Sequence, residues 1–381
     1  MKPFKFLIFF NFICFISTAQ NDTCLINFIA NNQFNDFQKT KSLGAIKQSK
    51  NFGEGGVYVI NPYFATISAM GLLTSNKEEN FERVTNYIKW YSKHYNNKNG
   101  HYNIAYDING DNETYCYVAD TDTVCNYIDA EDSEPAVFCT LLWQYVQKTN
   151  NIYLVRANKI KVEKAMQYVI DSLLDPADNL CIAKKDDEVP QKFTMDNCEV
   201  YQGLLCLSYL EKNIFKDNIK YKYYYHIAQQ IKTAIKKELF NDEIKLYKSS
   251  KDLDVDTTCW YNCGEGGDCA AIIFPQIFNV DSSNAQVSTR QRSIVQNNFK
   301  TWVAADTSFN GGFLPAYIAI CFANAGDTLS ATKQINNAID LFYKNNPTAT
   351  ATTSQDASWL LLAKESIIAQ RKKKAVIIKK K

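Results

Sequence analysis

Segments that are apolar nearly all the way round alternate along this chain with segments that keep one polar face. The first kind comprises Tyr63–Leu73, Ser133–Gln147, Asp196–Leu210, Cys269–Phe278, Phe313–Ala325 and Asp356–Ala369. The second comprises Glu78–His94, Ile152–Leu174, Asp217–Leu239, Thr289–Val303 and Thr328–Phe342, with the short run Thr23–Ala30 at the head of the series. Apolar residues recurring at helical spacing predict helices, and a helix with no wet face must be buried. Twelve helices of alternating type, with the longer connections mostly before the buried ones, predict six helical hairpins closed into a ring. In such a ring the inner helices see only protein while the outer ones keep one face in water. The expected class is all-α, an (α/α)6 barrel with short β-hairpins in its loops.

The connections carry their own pattern. Asn96–Ile128 is long and rich in Asn, Asp and Gly, yet His101, Tyr102, Tyr106, Tyr115 and Tyr117 alternate within it, which predicts short strands. Asn179–Pro190 reads as a small hairpin, and Glu243–Trp260 alternates as strands do. The stretch Tyr127–Tyr145 (YIDAEDSEPAVFCTLLWQY) is an acidic loop feeding a buried helix. Asp132 or Ser133 is the expected N-cap, and Pro135 falls in the first turn, where a missing N–H is harmless. Its acidic start is expected to open onto a cavity.

Composition adjusts this picture at the ends. Lys2 and Lys5, an apolar run from Phe6 to Ile16 and the small residues Ser17, Thr18 and Ala19 make residues 1–19 a secretory signal peptide, so the mature chain is expected to be secreted or periplasmic. No later apolar stretch reaches the length of a membrane span. The division is then leader 1–19, toroid 20–370 and a basic tail 371–381 read as a solvated, frayed end. Net charge is +2; losing Lys2 and Lys5 brings it to about zero, and setting aside the seven basic residues of the tail leaves the body at about −7. A mildly acidic body with a short basic end lacks the basic face or groove of a nucleic-acid binder. A monomer is expected.

Of twelve cysteines, Cys14 lies in the leader. Cys116 with Cys125, or two of Cys259, Cys263 and Cys269, are close enough in sequence to bridge, whereas Cys139, Cys206 and Cys321 sit inside apolar helices as expected buried thiols. No CxxC occurs and His94, His101 and His226 are scattered, so neither a metal nor another cofactor is expected.

With these residues laid out, the chain resembles the six-hairpin glycosidase-like superfamily of (α/α)6 toroids. The matching segments are NPYFATISAMGLL, DAEDSEPAVFCTLLW, MDNCEVYQGL, WYNCGEGGDCAAIIFP and SQDASWLLLA, and in order they cover roughly residues 22 to 369. The sequence departs from that pattern in its cysteine content and at Cys259–Cys269. The resemblance implies hydrolysis of polysaccharides, although some related toroids are lyases and a shared fold does not fix chemistry.

Glycoside cleavage needs one carboxyl to protonate the leaving oxygen and a carboxylate to activate water or attack carbon. In a toroid these groups sit where the inner helices begin, and acids stand at several such starts: Glu54, Asp120 and Asp122, Asp129 to Asp132, Asp196 and Glu199, Glu265 and Asp268. Asp129 or Asp132, with Asp196 or Glu199 as partner, are the expected catalytic groups. The bland alternative is that Asp132 and Asp196 are only caps. Tyr63, Tyr201, Trp260, Trp302 and Trp359 are expected to meet sugar faces, and Glu265, flanked by glycines, to reach into the cleft. The expected function is a secreted, inverting glycoside hydrolase whose partner is a carbohydrate substrate. The alternatives are a polysaccharide lyase, with His101 and Tyr102 or Tyr106 near its base, and a carbohydrate-binding toroid without turnover.

Overall fold

A computed structural model describes residues 22–35, 42–48, 58–94, 105–107, 113–114, 116–119, 122–125, 130–185, 190–253, 268–280, 293, 316–345 and 352–379. The buried helices are α2 (Pro62–Leu72), α4 (Ser133–Thr149), α7 (Thr194–Leu210), α9 (Asp268–Ile277), α10 (Ile318–Asn324) and α12 (Ser354–Lys379). The half-wet helices are α1 (22–31), α3 (Glu78–Lys93), α5 (Ile152–Ala157) running into α6 (Lys159–Tyr168), α8 (Asn218–Glu238) and α11 (Thr328–Ala338). The expected outer helix Thr289–Val303 lies outside the described residues, apart from a helical Ser293.

The buried set closes on itself. Helix α2 packs on α4, α4 on α7, α7 on α9, α9 on α10, α10 on α12, and α12 returns to α2. The fold is the expected (α/α)6 ring. The closing seam is tight: a Cβ placed on Gly71 of α2 would stand 2.8 Å from the Ser358 Cα of α12, so only glycine lets these helices meet. The α4–α7 contact is closer still, because a Cβ on Gly203 would fall 2.4 Å from the Ala136 Cα. Across the same closure Asn32 Nδ2 donates to Ser354 Oγ at 3.1 Å, and the Ser354 N–H donates to Gln48 O at 2.7 Å.

One end of the ring is tightly turned and the other is not. Inner helices pass to outer ones through Asn150, Lys216 and Gly326, all with left-handed backbone (φ 56°, 61° and 83°), which reverses the chain in a few residues. Outer helices return through longer connections. All inner N-termini therefore lie on one rim, surrounded by the loops, which is where a ligand site belongs.

Strands β1 (Tyr58–Ile60), β2 (Ala105–Asp107) and β3 (Glu113–Thr114) form an antiparallel sheet whose first strand leads straight into α2, while β4 (Cys116–Ala119) pairs with β5 (Asp122–Cys125). Their register sets Cys116 opposite Cys125, the pair that the sequence places close enough to bridge. Cys139, Cys206 and Cys321 are buried free thiols, as expected.

Two hairpins differ in place from the sequence reading. Strands β6 (Leu174–Asp175) and β7 (Leu180–Cys181) put the first before Asn179 rather than after it, because the helix ends at Leu173 and Pro176 falls in the turn. Strands β8 (Phe240–Asn241) and β9 (Leu246–Tyr247) are shorter than the run from Glu243 suggests. The basic end differs too. Helix α12 runs unbroken through Lys379, so 371–379 continue a helix instead of forming a separate frayed tail. Among the described residues no helix is long and apolar enough to cross a membrane.

Candidate active site

Three consecutive inner helices bring their first turns together on the rim. Helix α2 starts with the side chain of Asn61, which accepts from the N–H groups of Tyr63 (3.0 Å) and Phe64 (3.3 Å), and with Pro62 in the first turn. This cap fixes Tyr63, half-buried, at the lip. Helix α4 is entered through Ala130, whose φ of 43° is strained for a residue with a Cβ and turns the acidic loop abruptly inward. Asp132 is then the N-cap, its Oδ1 accepting the Ser133 N–H at 2.8 Å. Helix α7 has Phe193 at its N-cap position with no side-chain cap bond, so Asp196 is not a cap. The bland reading holds for half of Asp132 and fails for Asp196.

The acids of the Tyr127–Tyr145 stretch separate into different roles. Glu131 accepts from the Lys185 N–H at 3.1 Å and from Tyr168 Oη at 3.3 Å, tying the acidic loop to the chain after β7 and to the outer layer. Asn197 performs the matching task on α7, accepting the Cys181 N–H at 2.7 Å and donating to the Cys181 carbonyl at 3.0 Å. Asp129 lies outside the described residues, as do Trp260, Glu265 and Trp302.

Asp132, Asp196 and Glu199 are all buried, and they stand close enough to sense one another. Glu199 Oε1 accepts from Tyr63 Oη at 2.6 Å, so Tyr63 joins α2 to α7 by holding an acid. Burial, then the negative charge of Asp196, pushes Asp132 well above the usual carboxylate range, against the Ser133 N–H that pulls it down. Glu199 is raised in the same way, by burial and then by Asp196, with the Tyr63 and Ser133 hydroxyls opposing. Among the described residues, Asp132 Oδ2, Ser133 Oγ and Glu199 Oε2 are buried with no hydrogen-bond partner. Polar atoms left so in a ring interior are set for a ligand or water to complete. The cluster thus combines carboxyls raised above their usual range with a neighbouring negative charge, which is the kind of separation acid and base roles need.

Two expected sugar contacts go elsewhere. Tyr201 is buried on the outward side of α7, where Lys232 of α8 sits over its ring at 5.2 Å and approaches its hydroxyl at 3.3 Å. Trp359 is only 5 % exposed and packs edge-on against Tyr317 and beside Phe274, with ring centroids at 6.4 and 5.9 Å, so it fills the opposite side of the ring interior. Both rings are buried in contacts with neighbouring side chains. The participants the sequence did not mark are Ser133 Oγ and the bond between Tyr63 and Glu199, which joins residues 136 apart and leaves no local signal. Of the groups the lyase reading needs, His101 and Tyr102 lie outside the described residues.

No family model and no curated protein sequence matches the chain. Solved structures are similar to it. A wild-type glycosidase superposes with a TM-score of 0.61 at 12% identity, over 91% of this chain and 96% of that one. The GH76A α-1,6-mannanase from Salegentibacter sp. HEL1_6 gives 0.53 at 11% identity, over 92% and 99%. A rhamnosidase from Klebsiella oxytoca with rhamnose bound gives 0.54 at 12%, over 92% of this chain and 64% of its own. At such identities the likeness establishes the fold, the toroid that the sequence resemblance implied.

Proposed function

We propose that this chain is a secreted glycoside hydrolase acting on poly- or oligosaccharides, with Asp132 as general acid and Asp196 as general base. The observation that carries the reading is the juxtaposition of a buried Asp132, whose carboxyl burial and Asp196 push above its usual range, with a buried Asp196 on the adjacent inner helix. Protonation of the leaving oxygen by Asp132 Oδ2, which has no hydrogen-bond partner among the described residues, and activation of water by Asp196 account for hydrolysis. Tyr63 and Glu199 position this pair. Structural neighbours that are glycosidases, a mannanase and a rhamnosidase support the carbohydrate substrate. Inversion is part of the proposal and is to be read from the anomeric configuration of the products, and a leader at 1–19 supports export.

The test is a glycan-library screen with the mature protein, reading reducing ends, anomeric configuration by NMR and ultraviolet absorbance of products. A hydrolase gives reducing ends without new absorbance; unsaturated products mean a lyase, and no products mean a binding protein. Asp132→Asn and Asp196→Asn are each expected to lower turnover by about 10²- to 10⁴-fold, the range of acid–base assistance, with far-ultraviolet circular dichroism unchanged. Parent-level rates in both variants would overturn the assignment.

A further inference from the structure

We propose that the outer wall carries an accessory binding strip for a neutral oligosaccharide, formed by one face of α8 and the turn between β6 and β7. A cleft of about 330 Å³ opens there, lined by His226, Gln229, Gln230 and Thr233 of α8 and by Asn179 of the turn. This is room for one or two sugar rings. The helical residues recur at three- and four-residue spacing, and one turn earlier the same face presents Tyr223, 41 % exposed. Gln167 of α6 donates to Tyr223 Oη at 3.2 Å, so the ring is held in place on the surface rather than swinging in solvent.

Charge selects the ligand class. The charged members of the cleft are each paired: Lys237 with Glu238 at 2.8 Å within it, and Asp178 with Lys192 and Lys251, which stand behind the lining, at 2.6 Å. What remains facing a ligand is amide, hydroxyl and imidazole with the small apolar surfaces of Ala177 and Ala234, and the Tyr223 ring follows one helical turn outside the cleft. Such a surface suits the mixed hydroxyl and C–H faces of an uncharged sugar and offers no uncompensated cation for an anionic one. The hairpin forming one wall is also bonded to the rim, since Asn197 grips Cys181 and Glu131 grips Lys185. A polymer held on the strip would therefore lie beside the loops of the mouth. The ligand class rests on the glycosidase reading, while the site itself rests on its own geometry.

Affinity gel electrophoresis of the Asp132→Asn protein against a soluble α-mannan, a β-glucan and a xylan tests this. Retardation by at least one polymer is expected, and adding Tyr223→Ala with Gln230→Ala should weaken it by about tenfold or more, as loss of a stacking ring and an amide contact implies. The double substitution is on the surface, and circular dichroism should show the fold kept. No retardation by any polymer, or equal retardation with and without the double substitution, overturns the strip. So does sedimentation showing a dimer that Tyr223→Ala dissociates, because the face would then belong to a second copy. Reducing-end release by the parent chain is scored separately, so loss of retardation without any detected hydrolysis would uphold the strip and reject the glycosidase reading.

Discussion

Asp132 works in two ways, and the two have opposite consequences for stability. As N-cap it satisfies the Ser133 N–H, while as a buried carboxyl beside Asp196 it holds a proton more tightly than the unfolded chain does. A group raised on folding contributes stability that is fully present below its ordinary value of 3.8 and is lost as pH rises through the raised one. Asparagine keeps the cap and carries no charge. Asp132→Asn should thus leave the Tm unchanged at pH 4 and raise it by a few degrees at pH 8, about 2–4 °C per kcal/mol for a chain of this order of size, in a calorimetric series. An equal Tm shift at both pH values would deny the buried proton. The cap was legible from Ser, Glu and Pro following Asp132. The neighbours that raise it were not, because Asp196 and Tyr63 arrive from other helices.

At the scale of elements, the helices that carry the acids are set by what lets them touch. A methyl on Gly203 would meet the Ala136 backbone at 2.4 Å, so Gly203→Ala must part α4 from α7. It should cost about 1–3 kcal/mol in urea unfolding and lower turnover as well, since Asp132 and Asp196 move apart. Gly326→Ala, with nothing within 4 Å but a φ of 83°, should cost about 1–2 kcal/mol and leave turnover alone. Similar activity losses in the two variants would count against helix spacing as the determinant.

At the other end of the same helices, Glu211 after α7 meets Glu163 of α6. Burial, then the neighbouring Glu163 carboxyl, lifts Glu211 to about 8, with Lys159 and Lys220 opposing. Burial would raise Glu163 too, but the Lys220 ammonium 2.8 Å from its Oε2 and the charge of Lys159 hold it below its usual range. Tyr224 and Cys139 complete the surroundings. The Glu211 contribution is full below 4.5 and lost as pH rises through about 8, at no more than about 1.4 kcal/mol per pH unit. Melting curves from pH 6 to 9 should fall for the parent and flatten for Glu211→Gln; parallel curves would refute the raised Glu211 carboxyl.

The whole molecule is a ring whose last helix closes on its first inner one, so its two ends differ in what they can lose. Up to Gln370, α12 is packed, with Gln370 Nε2 donating to Asn324 O, whereas Arg371 and Lys372 are exposed. Deleting 371–381 should shift the Tm by no more than about 2 °C, the scale of a surface change. Deleting 352–381 should abolish cooperative melting, because the Gly71–Ser358 seam is lost and α2 and α10 are left with bare apolar faces. A cooperative transition in the shorter chain would mean that the ring need not close.

The sequence by itself determined the kind and order of the described helices, because burial on all sides or on one side is written in the period of the apolar residues. It also determined that acids head several of the inner helices, since a cap and a first turn are local features. Only the tertiary structure decided which acids meet. Asp132, Asp196, Glu199 and Tyr63 become neighbours through helix-to-helix contacts, while Glu131 becomes a brace and Tyr201 and Trp359 turn into packing. The reason is physical: chain periodicity fixes which face of a helix leaves water, but which residues share that dry space depends on distances between segments far apart in the chain.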